Sequence, residues 1–177
     1  MATIPLLRVD NRLIHGQVTA FWVRSLSCDR AVIVDDVVRQ DKFLRKILMM
    51  AMPPSTKLTI YSAEEAAVEW KKDQMGDGRI MVIFKDIAGA KNAYEAGFAF
   101  QTLQIGGSTH ASGQKQVFGP IYMSEGEAKT LDTLESWGVE ITFQVLSEQK
   151  AVAWSAVRKK AFPHLEHTPE PRPCPNT

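Results

Sequence analysis

The chain has 177 residues, which suits a single domain that is large enough to bury a core. Hydrophobic residues make up 45% of it and charged residues 23%, a balance that excludes a chain disordered throughout. A net charge of +1 provides no field that favours nucleic acid, and no apolar run reaches the ~20 residues of a membrane span.

The two cysteines, Cys28 and Cys174, form no CxxC pair, so neither a zinc site nor a redox motif is indicated. Free thiols fit a reducing cytoplasm. The first residues lack the basic stretch and apolar core of a signal peptide. We therefore expect a cytoplasmic protein without metal or cofactor, which other subunits would hold at a membrane if it works there.

The first half of the chain alternates between strand and helix patterns. A buried strand is predicted over 3–9, a β-branched strand over 30–36 and a third strand over 57–62. Between them, helices are predicted over 17–26 and 41–51, and two prolines end the second helix. The apolar faces of these helices are predicted to consist of Val18, Phe21, Trp22 and Leu26, and of Phe43, Leu44, Ile47, Leu48 and Ala51.

The alternation continues through the middle of the chain. Ser62 and Glu65 form a capping box for a helix that runs to about residue 72. A continuous apolar run over 79–85 is typical of a strand in the middle of a parallel sheet. A helix over 88–96, closed by a glycine, and a strand over 102–107 follow.

The last third of the chain begins with a polar loop. The elements predicted after it are a short strand over 119–123, a helix from a second capping box (Ser124 and Glu127) to Trp137, an edge or antiparallel strand over 139–146, and a helix over 148–160. Five of the nine prolines lie beyond that helix. We therefore predict one domain over 1–160 and a disordered or loosely attached tail over 161–177.

This spacing of strands and helices predicts an α/β fold. We expect an open, mostly parallel, doubly wound sheet of about seven strands, with one antiparallel strand and helices on both faces. Ligands bind such sheets beyond the carboxyl ends of the strands. Residues 9–16 connect the first strand to the first helix, so His15 is predicted to lie at this edge of the sheet and at a helix start.

The segment RVDNRLIHGQV, which begins at Arg8, carries side chains suited to phosphate chemistry. A helix N-terminus attracts anions and disfavours a protonated imidazole, so an uncharged, nucleophilic His15 is expected near neutral pH. Arg8 and Arg12 can neutralise phosphate oxygens through bidentate hydrogen bonds. Asp10 can fix the imidazole tautomer or hold an arginine, and Gly16 leaves the backbone accessible. These groups suit transfer of a phosphoryl group onto an imidazole nitrogen and then to a second acceptor.

Several residues also have ordinary structural interpretations. A loop histidine is more often a hydrogen-bonded structural residue, and an arginine–aspartate cluster could be a solvated ion pair of little energetic consequence. Gln17 could contact the phosphohistidine or merely start the helix. Gly106 and Gly107, which end the fifth strand, could bring N–H groups to the phosphate or form a tight turn. We interpret Asp35 and Asp36 as helix capping rather than as a metal site.

The opening segment resembles the active-site segment of the enzyme IIB subunits of the mannose/sorbose family of the bacterial phosphotransferase system (PTS), whose pattern is close to R-I-D-x-R-L-I-H-G-Q-V. The resemblance covers roughly residues 4 to 150 and includes LQIGGST followed by GQKQV. Two residues depart from the family pattern: Gln104 replaces an asparagine and Ser108 a methionine. Both flank the predicted phosphate site, so partner or sugar specificity could be unusual.

The resemblance implies that His15 is phosphorylated at Nδ1, in a component of a protein-Nπ-phosphohistidine–sugar phosphotransferase. A IIA subunit or domain would donate the phosphoryl group, and the membrane subunits IIC and IID would hold the sugar that accepts it. The alternative is a non-enzymatic phosphate- or nucleotide-binding regulatory module on the same fold. Nucleic acid is not an expected partner, whereas the helical faces leave room for a homodimer.

Overall fold

A seven-stranded sheet organises the chain in a computed structural model that describes residues 1–16, 18–166 and 170–173. Its strands are β1 (Thr3–Asp10), β2 (Arg30–Val34), β3 (Lys57–Tyr61), β4 (Arg79–Phe84), β5 (Thr102–Gly107), β8 (Glu140–Phe143) and β9 (Val152–Ala153). Their order in the sheet is β3-β2-β4-β1-β5-β8-β9, and every neighbouring pair is parallel except β8 with β9. The predicted mostly parallel sheet with one antiparallel strand is therefore confirmed.

Helices cover both faces of the sheet, as the doubly wound prediction requires. Along β2, Ala31 and Ile33 face one apolar cluster, whereas Val32 and Val34 face the other. The first cluster receives a π-helix (Val18–Trp22), α1 (Val23–Ser25), α2 (Asp36–Gln40) and α3 (Lys42–Ala51). The second receives α4 (Ala63–Asp73), α5 (Ile87–Ala96), α6 (Glu125–Ser136) and α7 (Trp154–Ala161).

The local signals in the sequence place several of these elements correctly. The five residues of β4 from Ile80 to Phe84 have no exposed surface, because helices cover both faces of this central strand. Both predicted capping boxes form, Ser62 with Glu65 at α4 and Ser124 with Glu127 at α6. These side chains satisfy N–H groups that have no partner inside their helix.

Two predicted helices differ from their expected form. The first is a π-helix followed by a single short α-helical turn, and its Phe21 is 48% exposed rather than buried. In α3, Leu48 is buried, but Phe43 and Ile47 are 74% and 46% exposed. Ala51 is exposed as well, so three of the five residues on the predicted apolar face of α3 lie outside the core. Periodicity shows which residues share a face and not whether another element covers it.

The strand assignments after β5 also need correction. The predicted strand over 119–123 corresponds to β7 (Ile121–Met123), which pairs with β6 (Lys115–Phe118) in a separate antiparallel sheet. The alternating strand over 139–146 contains β8, an interior strand parallel to β5. The antiparallel edge strand is β9, inside the segment predicted to be helical. The alternation in β8 arises because one of its faces, carrying Thr142, is only partly buried.

The described part of the C-terminal segment contacts the domain. Phe162 is 3% exposed, and Nη2 of Arg158 donates a hydrogen bond to the carbonyl of Leu165 at 2.7 Å. The indole of Trp137 donates to the carbonyls of Glu170 and Pro171, at 3.1 Å each. Residues 167–169 and 174–177 lie outside the description, and the division into a domain and a tail stays a prediction. Within the described ranges, none of the helices is long and apolar enough to cross a membrane.

Candidate active site

The residues of the opening segment come together where β1 ends. Arg8 and Asp10 point to the same side of β1 because side chains alternate along a strand, and neither has exposed surface. The chain then turns through a loop in which Leu13, 5% exposed, has a positive φ of 54°. His15 lies at the end of this loop with 18% of its side chain exposed. As predicted, the loop lies at the carboxyl edge of the sheet.

The carboxylate of Asp10 is the acceptor that joins these residues. Oδ2 accepts hydrogen bonds from Nε and Nη2 of Arg8, at 3.3 and 3.1 Å. Oδ1 accepts from the backbone N–H and Nε of Arg12, at 3.2 and 3.1 Å. Burial alone would raise the pKa of Asp10, but hydrogen bonds from His15 and Arg12 and the positive charges of both arginines hold that pKa far below its ordinary value. The carboxylate is therefore ionised and acts only as an acceptor.

His15 is oriented by the same carboxylate. Its Nε2 lies 3.3 Å from Oδ2 of Asp10. Because ionised Asp10 can only accept, this contact assigns the ring proton of the uncharged imidazole to Nε2 and leaves the lone pair on Nδ1. In that tautomer Nδ1 is the unprotonated nitrogen of the ring.

Arg8 has a different environment from the one predicted. Its guanidinium makes five hydrogen bonds, two to Asp10 and the others to the side chain of Gln104 and the carbonyls of Gln144 and Val145, at 2.8 and 3.2 Å for the carbonyls. A guanidinium has five N–H donors, so this arrangement leaves none directed at a phosphate. Burial lowers the pKa of Arg8, and the charge of Asp10 opposes that effect. Arg8 therefore holds Asp10 in place rather than reaching the surface.

Arg12 is the cation of the cluster that reaches the surface. Its side chain is 44% exposed while Nε contacts Oδ1 of Asp10 at 3.1 Å. Asp10 carries one negative charge and the two arginines carry two positive charges, so the cluster has a net positive charge beside His15. A partly exposed guanidinium such as this one can make charge-assisted hydrogen bonds to an anion.

Gly106 and Gly107, at the end of β5, leave room for the buried side chains of Arg8 and Asp10. A Cβ at Gly106 would lie 1.8 Å from Cζ of Arg8, and a Cβ at Gly107 would lie 2.7 Å from Oδ1 of Asp10. Both glycines belong to β5 and neither has a positive φ, so the tight-turn interpretation is wrong. Their contact with a phosphate stays a prediction. At Gly16 a Cβ would meet open space, and Gln17 lies outside the described residues.

Gln144 is a site residue that the sequence does not indicate. The sequence indicates Gln104 as a departure from a family pattern beside the predicted phosphate site, but not its contact with Arg8, which is 96 positions away in the chain. Only the pairing of β1 with β5, which aligns Arg8 with Gln104, could have linked them. The other departure, Ser108, exchanges hydrogen bonds of 2.8 Å with the backbone of Tyr122 and so fastens the loop after β5 to β7.

The acidic pair after β2 has capping contacts. Oδ1 of Asp35 accepts from the N–H of Val38 at 2.7 Å, which makes Asp35, rather than Asp36, the N-cap of α2. Asp36 accepts instead from the N–H of Ala63 at 2.8 Å. These contacts support the capping interpretation of the pair.

Comparison with known proteins identifies the family. The family model for the PTS system sorbose subfamily IIB component matches residues 4–168. The chain belongs to this family. A sorbose-specific PTS EIIB component of Klebsiella pneumoniae is 30% identical over 149 residues, which are 84% of this chain and 91% of that protein. The mannose-specific PTS EIIAB component of Escherichia coli K12 is 24% identical over 81% of this chain and 45% of its own length.

Solved structures agree with this family assignment. The crystal structure of manxB from Thermoanaerobacter tengcongensis superimposes with a TM-score of 0.84 at 31% identity, over 92% of this chain and 99% of that one. The chain therefore shares its fold with that structure over nearly its whole length. Since the family is a PTS component, the chain is a component of a sugar phosphotransferase system.

Proposed function

We propose that this IIB component is a phosphocarrier, which accepts a phosphoryl group on Nδ1 of His15 and passes it to a sugar. The observation that carries the proposal is the 3.3 Å contact between Nε2 of His15 and the buried carboxylate of Asp10. That contact directs the lone pair to Nδ1, and the guanidinium of Arg12, whose side chain is 44% exposed, binds the same carboxylate as the ring.

The chemistry proceeds in two displacements. In the first, the Nδ1 lone pair forms a bond to phosphorus as the N–P bond of a donor phosphohistidine breaks, and the donor ring keeps that electron pair. In the second, a sugar hydroxyl oxygen forms a bond to phosphorus and its proton passes to water. The N–P bond of phosphorylated His15 breaks, and Nδ1 keeps that electron pair. Because phosphoryl transfer depends mainly on positioning and charge neutralisation, Asp10 serves to orient the ring and Arg12 to neutralise the phosphoryl oxygens.

The partners follow from the family. We infer that a IIA subunit or domain is the donor, which is supported by the EIIAB composition of the Escherichia coli relative. The acceptor sugar would be held by the membrane subunits IIC and IID, and the IIB chain would work at their cytoplasmic side. A homodimer stays a prediction.

The test is covalent labelling by a phosphorylated IIA partner. We expect one acid-labile, base-stable phosphoryl group per chain, and none in a His15→Ala variant. His164→Ala is the matched control because that histidine is exposed and remote in the chain, so it should label like the native protein. A stoichiometric label that persists without His15 would refute the proposal.

The alternative of a non-covalent phosphate- or nucleotide-binding module predicts a different outcome. Equilibrium dialysis would then detect a bound ligand, while no label would survive denaturation of the protein. The same preparation therefore distinguishes the two functions.

A further inference from the structure

Gln104 lies on β5 within the buried polar network of the site. It is 7% exposed and aligned with Arg8 of β1. Its Oε1 accepts a hydrogen bond from Nη1 of Arg8, and its Nε2 donates to Oε1 of Gln144 at 2.9 Å. The Gln144 amide is held in turn, because its Nε2 donates to the carbonyls of Ser147 and Gln149 at 3.2 and 2.6 Å. Both ends of the Gln104 amide are therefore fixed.

A continuous chain of contacts leads from this amide to the reacting ring. The guanidinium of Arg8 is planar, so the group that holds Nη1 also sets the direction of the Nε and Nη2 edge. That edge contacts Oδ2 of Asp10 at 3.3 and 3.1 Å. The same oxygen lies 3.3 Å from Nε2 of His15.

We propose that Gln104 is a positioning residue for phosphoryl transfer, which acts through Arg8 and Asp10 to hold the His15 ring in the orientation that keeps its proton on Nε2 and makes Nδ1 the nucleophile. The inference deepens the proposed function and rests on it. Gln104 touches no reacting atom; it supplies the acceptor that keeps the guanidinium from turning away from Asp10. The carbonyls of Gln144 and Val145 hold the other N–H groups but come from the chain after β8. Among the described residues, the side chains that accept hydrogen bonds from the Arg8 guanidinium are therefore those of Asp10 and Gln104.

Removing the acceptor has a defined consequence. In Gln104→Leu, one buried N–H of Arg8 loses its partner, and an unpaired buried donor on a charged group is strongly unfavourable. The guanidinium should turn toward another acceptor and carry the Asp10 contact with it. Because misplacement of a reacting group by about 1 Å can cost on the order of a hundredfold in rate, we expect labelling to slow at least about tenfold.

The experiment compares three variants with the native chain. Gln104→Leu removes the acceptor, whereas Gln104→Glu keeps an acceptor at that place. Gln101→Leu is the matched control, since Gln101 is exposed and precedes the same strand. Two readouts are taken: the single-turnover rate of labelling by the phosphorylated IIA partner, and the Nε2–H to Nδ1–H tautomer ratio of His15 from side-chain ¹⁵N NMR without partner, assigned with His15→Ala.

The expected result is a slower rate and a loss of the Nε2–H tautomer in Gln104→Leu. Gln104→Glu should recover most of both, and Gln101→Leu should match the native chain. Native values of rate and tautomer ratio in Gln104→Leu would overturn the proposal, as would a slower rate with an unchanged tautomer. If Gln104→Leu does not fold, Gln104→Met, which also lacks the acceptor but keeps the length of the side chain, is measured in its place with the same expected and overturning outcomes. If the native chain takes up no label, the proposed function fails, while the tautomer comparison still decides the role of Gln104.

Discussion

Replacing Gly106 by alanine should destabilise the fold through the buried arginine. The new Cβ would lie 1.8 Å from Cζ of Arg8, whereas carbon atoms in contact are about 3.5 Å apart, so one group must move by about 1.7 Å. Arg8 has no exposed surface and makes five hydrogen bonds, so it cannot move this far without breaking its pairing with Asp10. Breaking a buried ion pair costs about 3–5 kcal/mol, a large part of the roughly 5–15 kcal/mol that stabilises a domain.

The assay for this prediction is urea unfolding followed by tryptophan fluorescence, since Trp22 packs against Arg8 with its ring centroid 5.1 Å from Cζ. Gly16→Ala is the matched control, because a Cβ there meets open space and the backbone needs no positive φ. Its free energy of unfolding should change by less than about 1 kcal/mol. A Gly106→Ala variant as stable as this control would refute the packing argument.

Three further predictions concern single side chains. Asp10→Asn should lower the free energy of unfolding at pH 7. Because folding lowers the pKa of Asp10, the ionised carboxylate stabilises the fold above its ordinary pKa of 3.8, and this stabilisation is lost as the pH falls below that value. Urea titrations should therefore show the stabilities of the variant and the native chain converging toward acid pH. Burial raises the pKa of the Cys28 thiol, so in a Cys174→Ser background this thiol should react slowly with a disulfide reagent until urea unfolds the chain. Fast reaction of the folded Cys174→Ser variant would contradict the 6% exposure of Cys28. Phe43 is exposed and Leu48 is buried, so Phe43→Ser should change the free energy of unfolding by less than about 0.5 kcal/mol, whereas Leu48→Ala should lower it by about 2–5 kcal/mol. Calorimetry measures both changes, and equal effects would show that the exposed face of α3 is covered.

Local signals predicted the parts of this protein that depend on neighbours in the chain. The order of the strands from β1 to β5, the central apolar strand β4 and both capping boxes follow from periodicity and from hydrogen bonds that span three residues. The opening segment also indicated His15, Asp10 and Arg12 as one cluster, because they lie within five positions of each other.

The tertiary structure alone decided which of these features meet. The neighbours of β1 are β4 and β5, so Arg8 lies buried against Gln104 and fills the space that Gly106 leaves. Both of these β5 residues are about a hundred positions from Arg8 in the chain. The exposure of Phe43 and the edge position of β9 were likewise decided by which elements cover them. A sequence pattern records the face on which a side chain lies, but strand adjacency is selected by the packing of both sheet faces at once, and that packing joins residues from the whole chain.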